Sequence, residues 1–217
     1  MVDAVAFDLD GTLYHNFNFY RRIFPCLFKD LPLAFAYNAA RKKLRADGTT
    51  GAFYDAQIGL VAERLGTDFG AAKKRIDKRI YAAWPLVFDR IKLFPNVMET
   101  LQIFKQNGIK LGLLSDFPLE EKLKKLKMSN FFDLELCSEL SGALKPHIQP
   151  FNKLIEGLEI PPEKILYVGN SIRYDVEGSK KAGMSAALIW RKPLPPPKSA
   201  ADFVFRDYRQ LQRFVLG

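Results

Sequence analysis

Two carboxylates stand two residues apart at the end of an apolar run, in the stretch VAFDLDGTLYHN that begins at Val5. Burying a charge is costly unless it is paired or bound to a metal, so Asp8 and Asp10 mark a candidate site. One carboxylate can act as a nucleophile, and a second can give and take a proton. Because close carboxylates do not easily both stay ionised, their coupling tends to raise one pKa toward a useful value. The pair indicates nucleophilic and acid–base chemistry.

Alternating strands and helices must position this pair. Apart from Asp8, residues 4–9 are apolar, and they predict a buried strand that ends at the carboxylates. Further apolar strands are predicted at 109–115, 133–138, 164–169, 185–190 and 202–205, with helices between most of them. This alternation is typical of an α/β, Rossmann-like core, in which a parallel sheet is covered by helices on both faces.

Polar side chains follow several of these strands. Ligands of open parallel sheets bind at the carboxyl ends of the strands, so residues at that edge are the first candidates. They are Asp8, Asp10, Ser115, Lys145, Asn170 and Asp175. Taken singly, each has an ordinary alternative as a turn residue, a helix cap or a surface lysine. Together, all of these alternatives would have to fall by chance at one edge of one sheet, which favours a site.

The same residues resemble the motifs of the haloacid dehalogenase (HAD) superfamily, in order and across the whole predicted core. Its first motif, Asp-x-Asp-Gly-Thr, matches residues 8–12, and its second ends a strand in Ser or Thr, as at Ser115. Its third motif supplies a lysine, matched by Lys145 in LKPHIQPF, and its fourth, Gly-Asp-x-x-x-x-Asp, resembles GNSIRYD at 169–175. Where the family most often has Asp, this chain has Asn170, a neutral ligand that attracts a divalent cation less strongly.

This resemblance implies a Mg²⁺-dependent hydrolase of a small phosphorylated metabolite, a phosphomonoesterase with an aspartyl-phosphate intermediate. Asp8 would be the nucleophile and Asp10 the general acid and base. Lys145 and Ser115 would meet the charge of the phosphoryl oxygens. The implied magnesium ligands are Asp8, the Asp10 backbone carbonyl, Asn170 and Asp175. The expected substrate contacts are Gly11, Thr12, His15 and Asp116.

The segment at 15–89 differs from the rest of the chain. Its apolar residues recur at three-and-four spacing and strand-like runs are absent, which predicts a helical insertion. In position and length it resembles the family's mobile cap. We therefore expect an α/β core domain of residues 1–14 and 90–217 and a helical cap domain of residues 15–89, which would exclude water on closing.

Composition excludes several classes of protein. Of the 217 residues, 48% are hydrophobic and 26% are charged, values typical of a globular protein and not of a disordered, collagen-like or coiled-coil chain. The most apolar stretch, residues 24–40, is interrupted by charges and prolines and is too short to span a membrane. Cys26 and Cys137 lie far apart and no secretory signal precedes the first strand, so we expect a reduced cytoplasmic protein.

The formal net charge of +9 attracts anions of any kind. The basic residues cluster at 41–45, 73–79 and 122–127, which we interpret as solvated helix faces. Because no recognisable aromatic pattern interleaves with these clusters, we expect a small phosphorylated substrate and no nucleic acid. Two alternatives stay open: a phosphomutase of the β-phosphoglucomutase type, and a non-catalytic anion- or nucleic-acid-binding protein on the same fold. Asp10 disfavours dehalogenation, since haloacid dehalogenases lack that second carboxylate.

Overall fold

One parallel sheet organises the computed structural model of the protein, which describes residues 2–48, 52–83 and 88–217 without the side chains of residues 26 and 27. The strands are β1 (Ala4–Phe7), β2 (Lys110–Ser115), β3 (Leu134–Cys137), β4 (Ile165–Gly169), β5 (Ser185–Ile189) and β6 (Phe203–Phe205). Their order is β3-β2-β1-β4-β5-β6, and every pairing is parallel. The predicted parallel α/β sheet is confirmed.

Helices cover both faces of this sheet, because successive side chains of a strand point to opposite faces. Val5 and Phe7 of β1 belong to the larger core cluster, whereas Ala4 and Ala6 belong to a second cluster. The core helices are α5 (Val97–Gln106), α6 (Glu120–Leu126), α7 (Ile148–Leu158), α8 (Glu177–Lys181) and α9 (Tyr208–Leu216). Side chains of α5, α6 and α9 pack in the first cluster and those of α7 in the second, which confirms the doubly covered core.

The regular elements described between β1 and α5 are all helices, as the periodicity predicts. They form α1 (Asn16–Phe28), α2 (Leu31–Asp47), α3 (Phe53–Leu65) and α4 (Phe69–Arg79). The chain leaves and re-enters the core side by side: the Phe94 amide donates to the Leu13 carbonyl at 2.8 Å. Residues 49–51 and 84–87 of the predicted insertion lie outside the described residues, and a separate cap domain at 15–89 stays a prediction.

The turn that follows β4 has an uncommon backbone conformation. A single π-helical turn spans Ile172–Val176 and precedes α8. The amides of Asp175 and Val176 both donate to the Ser171 carbonyl, at 3.0 and 3.1 Å. Such turns are frequent at functional sites. Here the turn brings the Asp175 carboxylate back toward the end of β4.

Helices long and apolar enough to span a lipid bilayer are absent from the described part of the chain.

Candidate active site

The candidate residues meet at the carboxyl ends of the central strands. Asp8 follows β1 and Asn170 follows β4, its neighbour in the sheet, while Ser115 ends β2 on the other side. Chain connections run in opposite directions from β1 and β4, which leaves a crevice at this edge of an open parallel sheet. The strand order therefore brings residues separated by more than a hundred positions into one site.

Asp8 is buried, and both of its carboxylate oxygens accept hydrogen bonds. The Lys145 Nζ donates to its Oδ1 at 2.7 Å, and the Thr12 Oγ1 donates to its Oδ2 at 2.7 Å. Burial raises the pKa of the Asp8 carboxyl, and Lys145 opposes this rise. Thr12, an expected substrate contact, is fully buried in this structure, and its hydroxyl orients the Asp8 carboxylate.

Lys145 is a buried cation placed between two carboxylates. Its Nζ lies 2.7 Å from Asp8 Oδ1 and 2.7 Å from Asp175 Oδ1, and it also donates to the Tyr167 hydroxyl at 3.1 Å. Burial alone would lower the pKa of Lys145, but Asp175 and Asp8 raise it well above the usual range. Lys145 therefore keeps its positive charge at the centre of the site.

The second oxygen of Asp175 is held by the backbone at the end of β4. Its Oδ2 accepts hydrogen bonds from the amides of Asn170 and Ser171, at 3.1 and 3.0 Å. This approach requires glycine at position 169, because a Cβ on Gly169 would lie 2.2 Å from the Asp175 Cβ. This steric requirement explains why the fourth motif has glycine at position 169.

Asp10 has a different set of partners, which includes a second lysine. The Lys122 Nζ donates to both of its carboxylate oxygens, at 2.8 Å to Oδ1 and 2.7 Å to Oδ2. The Ser115 Oγ donates to Oδ2 at 3.1 Å, and the Tyr14 hydroxyl donates to Oδ1. The two carboxylates of the first motif are therefore held by separate ammonium groups.

Lys122 corrects the interpretation of its cluster as a solvated helix face. It is buried, although its neighbours in the basic run at 122–127 are mostly exposed. Its position was visible in the sequence: Leu119, Lys122, Leu123 and Leu126 follow the three-and-four spacing of an apolar stripe. A lysine inside such a stripe needs a buried partner, and here the partner is Asp10.

Asn170 lies against the backbone of the first motif. Its Nδ2 donates to the Asp10 carbonyl oxygen at 3.0 Å. The close approach requires glycine at position 11, where φ is +94° and a Cβ would lie 1.8 Å from Asn170 Nδ2. Gly11 was expected to contact substrate, and its clearest role in this geometry is to admit Asn170.

Asp116, another expected substrate contact, is already engaged by the insertion. Arg45 donates to its Oδ2 at 2.6 Å, and the Lys145 amide donates to its Oδ1 at 3.1 Å. Although burial raises the pKa of Asp116, the charges of Lys145 and Arg45 outweigh this and hold it below its usual range. Asp116 therefore connects α2 to the backbone of Lys145.

Arg41, one turn before Arg45, is also buried, so the cluster at 41–45 is not simply a solvated face. It forms an ion pair with Glu139 and donates to the Asp116 carbonyl at 2.9 Å. Its guanidinium carbon lies 3.9 Å from the centre of the Phe117 ring. Two arginines of α2 thus reach loops of the core beside the site.

His15, the last expected substrate contact, is exposed beside the site. It borders a cavity of about 270 Å³. The cavity is lined by Gly11, His15, Asn16, Phe94, Asn170, Ile189, Trp190, Arg191 and Lys192. Because Gly11 and Asn170 belong to both, this cavity adjoins the carboxylates, and His15 is placed at its edge.

The donor set at this edge fits a hard divalent cation. Three carboxyl groups, of Asp8, Asp10 and Asp175, share the site with two ammonium groups, of Lys145 and Lys122. Within the described ranges, no three or more His, Cys, Asp or Glu side chains are grouped as a metal cage. Mg²⁺ does not need one, since it usually keeps several waters and binds through one or two carboxylates. The carboxylates of Asp8 and Asp175, the Asp10 carbonyl and the Asn170 side chain lie at one edge, and their oxygens are of the type that Mg²⁺ prefers.

The chain is similar to known proteins over most of its length. The family model for haloacid dehalogenase-like hydrolases matches residues 2–183. A glyceraldehyde 3-phosphate phosphatase of Methanothermobacter thermautotrophicus is 32% identical over 197 residues, covering 87% of this chain and 86% of its own. A phosphoglycolate phosphatase of Aquifex aeolicus is 31% identical over 195 residues, covering 86% and 84%. A crystal structure of a HAD phosphatase from Thermococcus onnurineus has the same fold, with a TM-score of 0.63, 23% identity and coverage of 99% and 98%.

Proposed function

We propose that this chain, which belongs to the haloacid dehalogenase-like hydrolases, is a Mg²⁺-dependent phosphatase of small phosphorylated metabolites that works through an aspartyl-phosphate. One observation carries the proposal: Asp8 and Asp10, two residues apart, are held by different lysines. Carboxylates in different environments can perform different tasks at one pH. Asp8 would attack phosphorus as the nucleophile, and Asp10 would act as the general acid and the general base.

In the first step, an oxygen of Asp8 forms a bond to phosphorus and the bond from phosphorus to the leaving oxygen breaks. Asp10 gives a proton to that oxygen, so the alcohol leaves neutral. In the second step, Asp10 takes a proton from water, whose oxygen attacks phosphorus and releases phosphate and Asp8. This divides one difficult displacement into two easier ones, and Asp10 serves first as acid and then as base.

Lys145 and Ser115 would stabilise the charge on the transferred group. Lys145 is a fixed cation beside Asp8, and phosphoryl transfer depends mainly on positioning and on such electrostatic stabilisation. Ser115 donates to Asp10 in this structure and would turn its hydroxyl toward a phosphoryl oxygen. Thr12 and Tyr167 act indirectly, since they hold Asp8 and Lys145 in place.

Asp8, the Asp10 carbonyl, Asn170 and Asp175 would hold Mg²⁺. When bound, the ion would offset the negative charge of the phosphoryl oxygens and of the carboxylates around them. Asn170 already contacts the Asp10 carbonyl, and turning its amide would present an oxygen in the same place. An amide ligand lacks the charge of the family's usual aspartate, so we expect a weaker metal site than in relatives with that residue.

The named relatives disfavour the mutase alternative, because those with substantial coverage are phosphatases. The substrates in their names are phosphorylated molecules of two or three carbons, so compounds of this size are the first to test as substrates of this chain. A non-catalytic protein is also disfavoured, since the two carboxylates and both lysines are present and paired.

The nucleophile is tested by phosphate release from an aryl phosphate with and without magnesium. We expect Asp8→Asn to lose on the order of 10³-fold or more in kcat. Asp3→Asn is the matched control, because Asp3 precedes the same strand at its other end and makes an exposed pair with Lys164. Comparable activity in Asp8→Asn and Asp3→Asn would refute the covalent mechanism.

The role of Asp10 is tested with two leaving groups. We expect Asp10→Asn to impair alkyl phosphates more than nitrophenyl phosphate, because nitrophenolate leaves with little help from a proton. An equal loss for both substrates would remove Asp10 from the proton-transfer role.

The metal assignment is tested by a magnesium titration of the rate at one pH. We expect Asn170→Asp to lower the magnesium concentration for half-maximal activity, because it adds a negative ligand. Asp175→Asn should raise that concentration or abolish activity. An unmoved midpoint in Asn170→Asp would place position 170 away from the metal.

A further inference from the structure

A cavity beside the catalytic carboxylates carries basic residues to which the proposed mechanism gives no task. It is the cavity of about 270 Å³ that shares Gly11 and Asn170 with the site. Part of its lining comes from the end of β5 and the residues that follow it, and β5 pairs with β4 in the sheet. This lining therefore lies at the same edge of the sheet as the carboxylates. We call it the β5 cavity.

The charge of the β5 cavity is positive. Arg191 and Lys192 follow the end of β5 and line the cavity, and His15 lies at its edge. No Asp or Glu is among the described residues that line it. A concave surface that carries charge of one sign concentrates ions of the opposite sign. The β5 cavity thus favours an anionic group.

Arg191 is held against the wall of the cavity. Its guanidinium carbon lies 4.6 Å from the centre of the Phe94 ring, and its Nη1 donates to the Arg206 carbonyl at 2.7 Å. Phe94 is itself fixed, because its amide donates to the Leu13 carbonyl where the chain re-enters the core. A guanidinium has five N–H donors, so the bond to Arg206 leaves donors for an anion.

Lys192 lies against a second aromatic residue of the cavity. Its ammonium nitrogen is 4.5 Å from the centre of the Trp190 ring. Trp190 is buried, and its Nε1 donates to the Leu194 carbonyl at 2.7 Å. Attraction between a cation and an aromatic face favours these positions of both basic side chains. Arg191 and Lys192 are therefore placed at one cavity before any ligand binds.

We propose that the β5 cavity binds a carboxylate at the far end of a short phosphate ester, and that Arg191 and Lys192 select this ester; the proposal rests on the proposed phosphatase function. The planar fork of a guanidinium matches the two oxygens of a carboxylate. Phe94 and Ile189 supply apolar wall for the carbons between the two anionic groups. The volume of about 270 Å³ suits a ligand of few carbons, since drug-sized ligands occupy about 300–1,000 Å³.

A second phosphoryl group is the competing ligand, because phosphate oxygens match the same guanidinium fork. It is larger than a carboxylate, and the cavity would have to hold it together with the carbon chain. The size of the cavity therefore favours the carboxylate, and a bisphosphate belongs in the test.

Two esters that differ only at the far end test the selection. Phosphoglycolate carries a carboxylate where hydroxyethyl phosphate carries a CH₂OH group. We expect the native kcat/KM to be about tenfold or more higher for phosphoglycolate, since a charged hydrogen bond is worth about that factor. Arg191→Gln and Lys192→Gln should each reduce this ratio, mainly by raising the KM of phosphoglycolate, because the carboxylate is bound equally before and during reaction.

The matched controls change exposed basic residues that do not line the cavity. Arg209→Gln removes an arginine of α9, and Lys198→Gln removes a lysine of the same segment as Lys192. Both controls should keep the native ratio of kcat/KM for the two esters.

Calorimetric binding of two phosphonates separates this proposal from the proposed function, because it needs no turnover. Phosphonopropionate and hydroxypropylphosphonate are the carbon analogues of the two esters. In the presence of Mg²⁺ we expect the full chain to bind phosphonopropionate more tightly, and Arg191→Gln to reduce the difference. Absence of turnover with every ester would refute the phosphatase function, and the comparison of the two phosphonates would still decide whether the cavity binds a carboxylate.

Several results would overturn the carboxylate assignment. These are equal affinity of the native protein for the two phosphonates, failure to bind either one, or a preference that Arg191→Gln and Lys192→Gln both leave unchanged. A higher kcat/KM for ethylene glycol bisphosphate than for phosphoglycolate, lost in Arg191→Gln, would assign the β5 cavity to a second phosphoryl group instead.

Discussion

Replacing Lys122 by methionine tests whether a buried ion pair holds Asp10. The substitution keeps an unbranched apolar side chain and removes the ammonium group that donates to both Asp10 oxygens. The Lys122 side chain is only 3% exposed, but that of Asp10 is 21% exposed, so water can partly replace the lost donor. Losing one partner of a fully buried pair costs about 3–5 kcal/mol, and a charged hydrogen bond is worth about 1.5–3 kcal/mol.

Because Asp10 is partly exposed, the lower of these two ranges of free energy applies to the loss of Lys122. We expect Lys122→Met to reduce the free energy of unfolding by about 1.5–3 kcal/mol, measured by urea denaturation at neutral pH. Lys125→Met is the control on the same helix, because Lys125 pairs with Asp89 with both side chains at least a third exposed. An exposed pair contributes only about 0–1 kcal/mol.

A double-mutant cycle with Asp10→Asn separates the ion pair from the packing of the lysine stem. If the ion pair stabilises the fold, the double variant should lose less free energy of unfolding than the two single variants lose in sum, since it leaves no unpaired carboxylate. Equal losses for Lys122→Met and Lys125→Met, or strict additivity in the cycle, would refute the reasoning.

Three further predictions concern the surroundings of the site. Gly11→Ala should lower the thermal midpoint, because its φ of +94° and the contact at 1.8 Å with Asn170 both disfavour a Cβ, with a cost of about 1–3 kcal/mol; an unchanged midpoint would contradict this. Arg41→Met should destabilise the protein by about 3–5 kcal/mol in urea, because it leaves Glu139 buried without its cation, whereas Lys73→Met, which breaks an exposed pair, should cost less than about 1 kcal/mol. The pKa of Asp116 is lower in the folded state than in the unfolded chain, so its contribution to stability is present above the unfolded pKa of about 4 and is lost as pH falls through the folded value. The free energy of unfolding of Asp116→Asn should therefore fall less steeply on acidification than that of the native protein. The same dependence on pH below about 4 in both proteins would contradict this role of Asp116.

The sequence predicts the position of the site because its residues follow strands, and strands were recognisable as short apolar runs. β2 ends at Ser115, as predicted. Asp8, Lys145 and Asp175 were placed together correctly as a set, since the carboxyl ends of parallel strands share one edge. Their hydrogen-bonding partners could not be predicted, because partner choice depends on distances between elements far apart in the chain.

Errors arose where a residue's type suggested solvent exposure. Lys122 and Arg41 were interpreted as parts of solvated helix faces, but both are buried. The composition of a charged cluster does not show which member points inward, whereas helical spacing does. The π-helical turn at Ile172–Val176 could not be predicted, because no residue spacing in the sequence indicates it.

The two arginines of α2 give the insertion a structural part in the site. Arg45 binds the side chain of Asp116 and the Lys145 carbonyl, and the Lys145 amide binds the same aspartate. Lys145 is therefore fixed at both ends: its ammonium by Asp8 and Asp175, and its backbone by a helix of the insertion. A movement of α2 away from the core would break the pairs of Arg45 with Asp116 and of Arg41 with Glu139. The position of α2 and the backbone of Lys145 are thus linked through the Asp116 carboxylate.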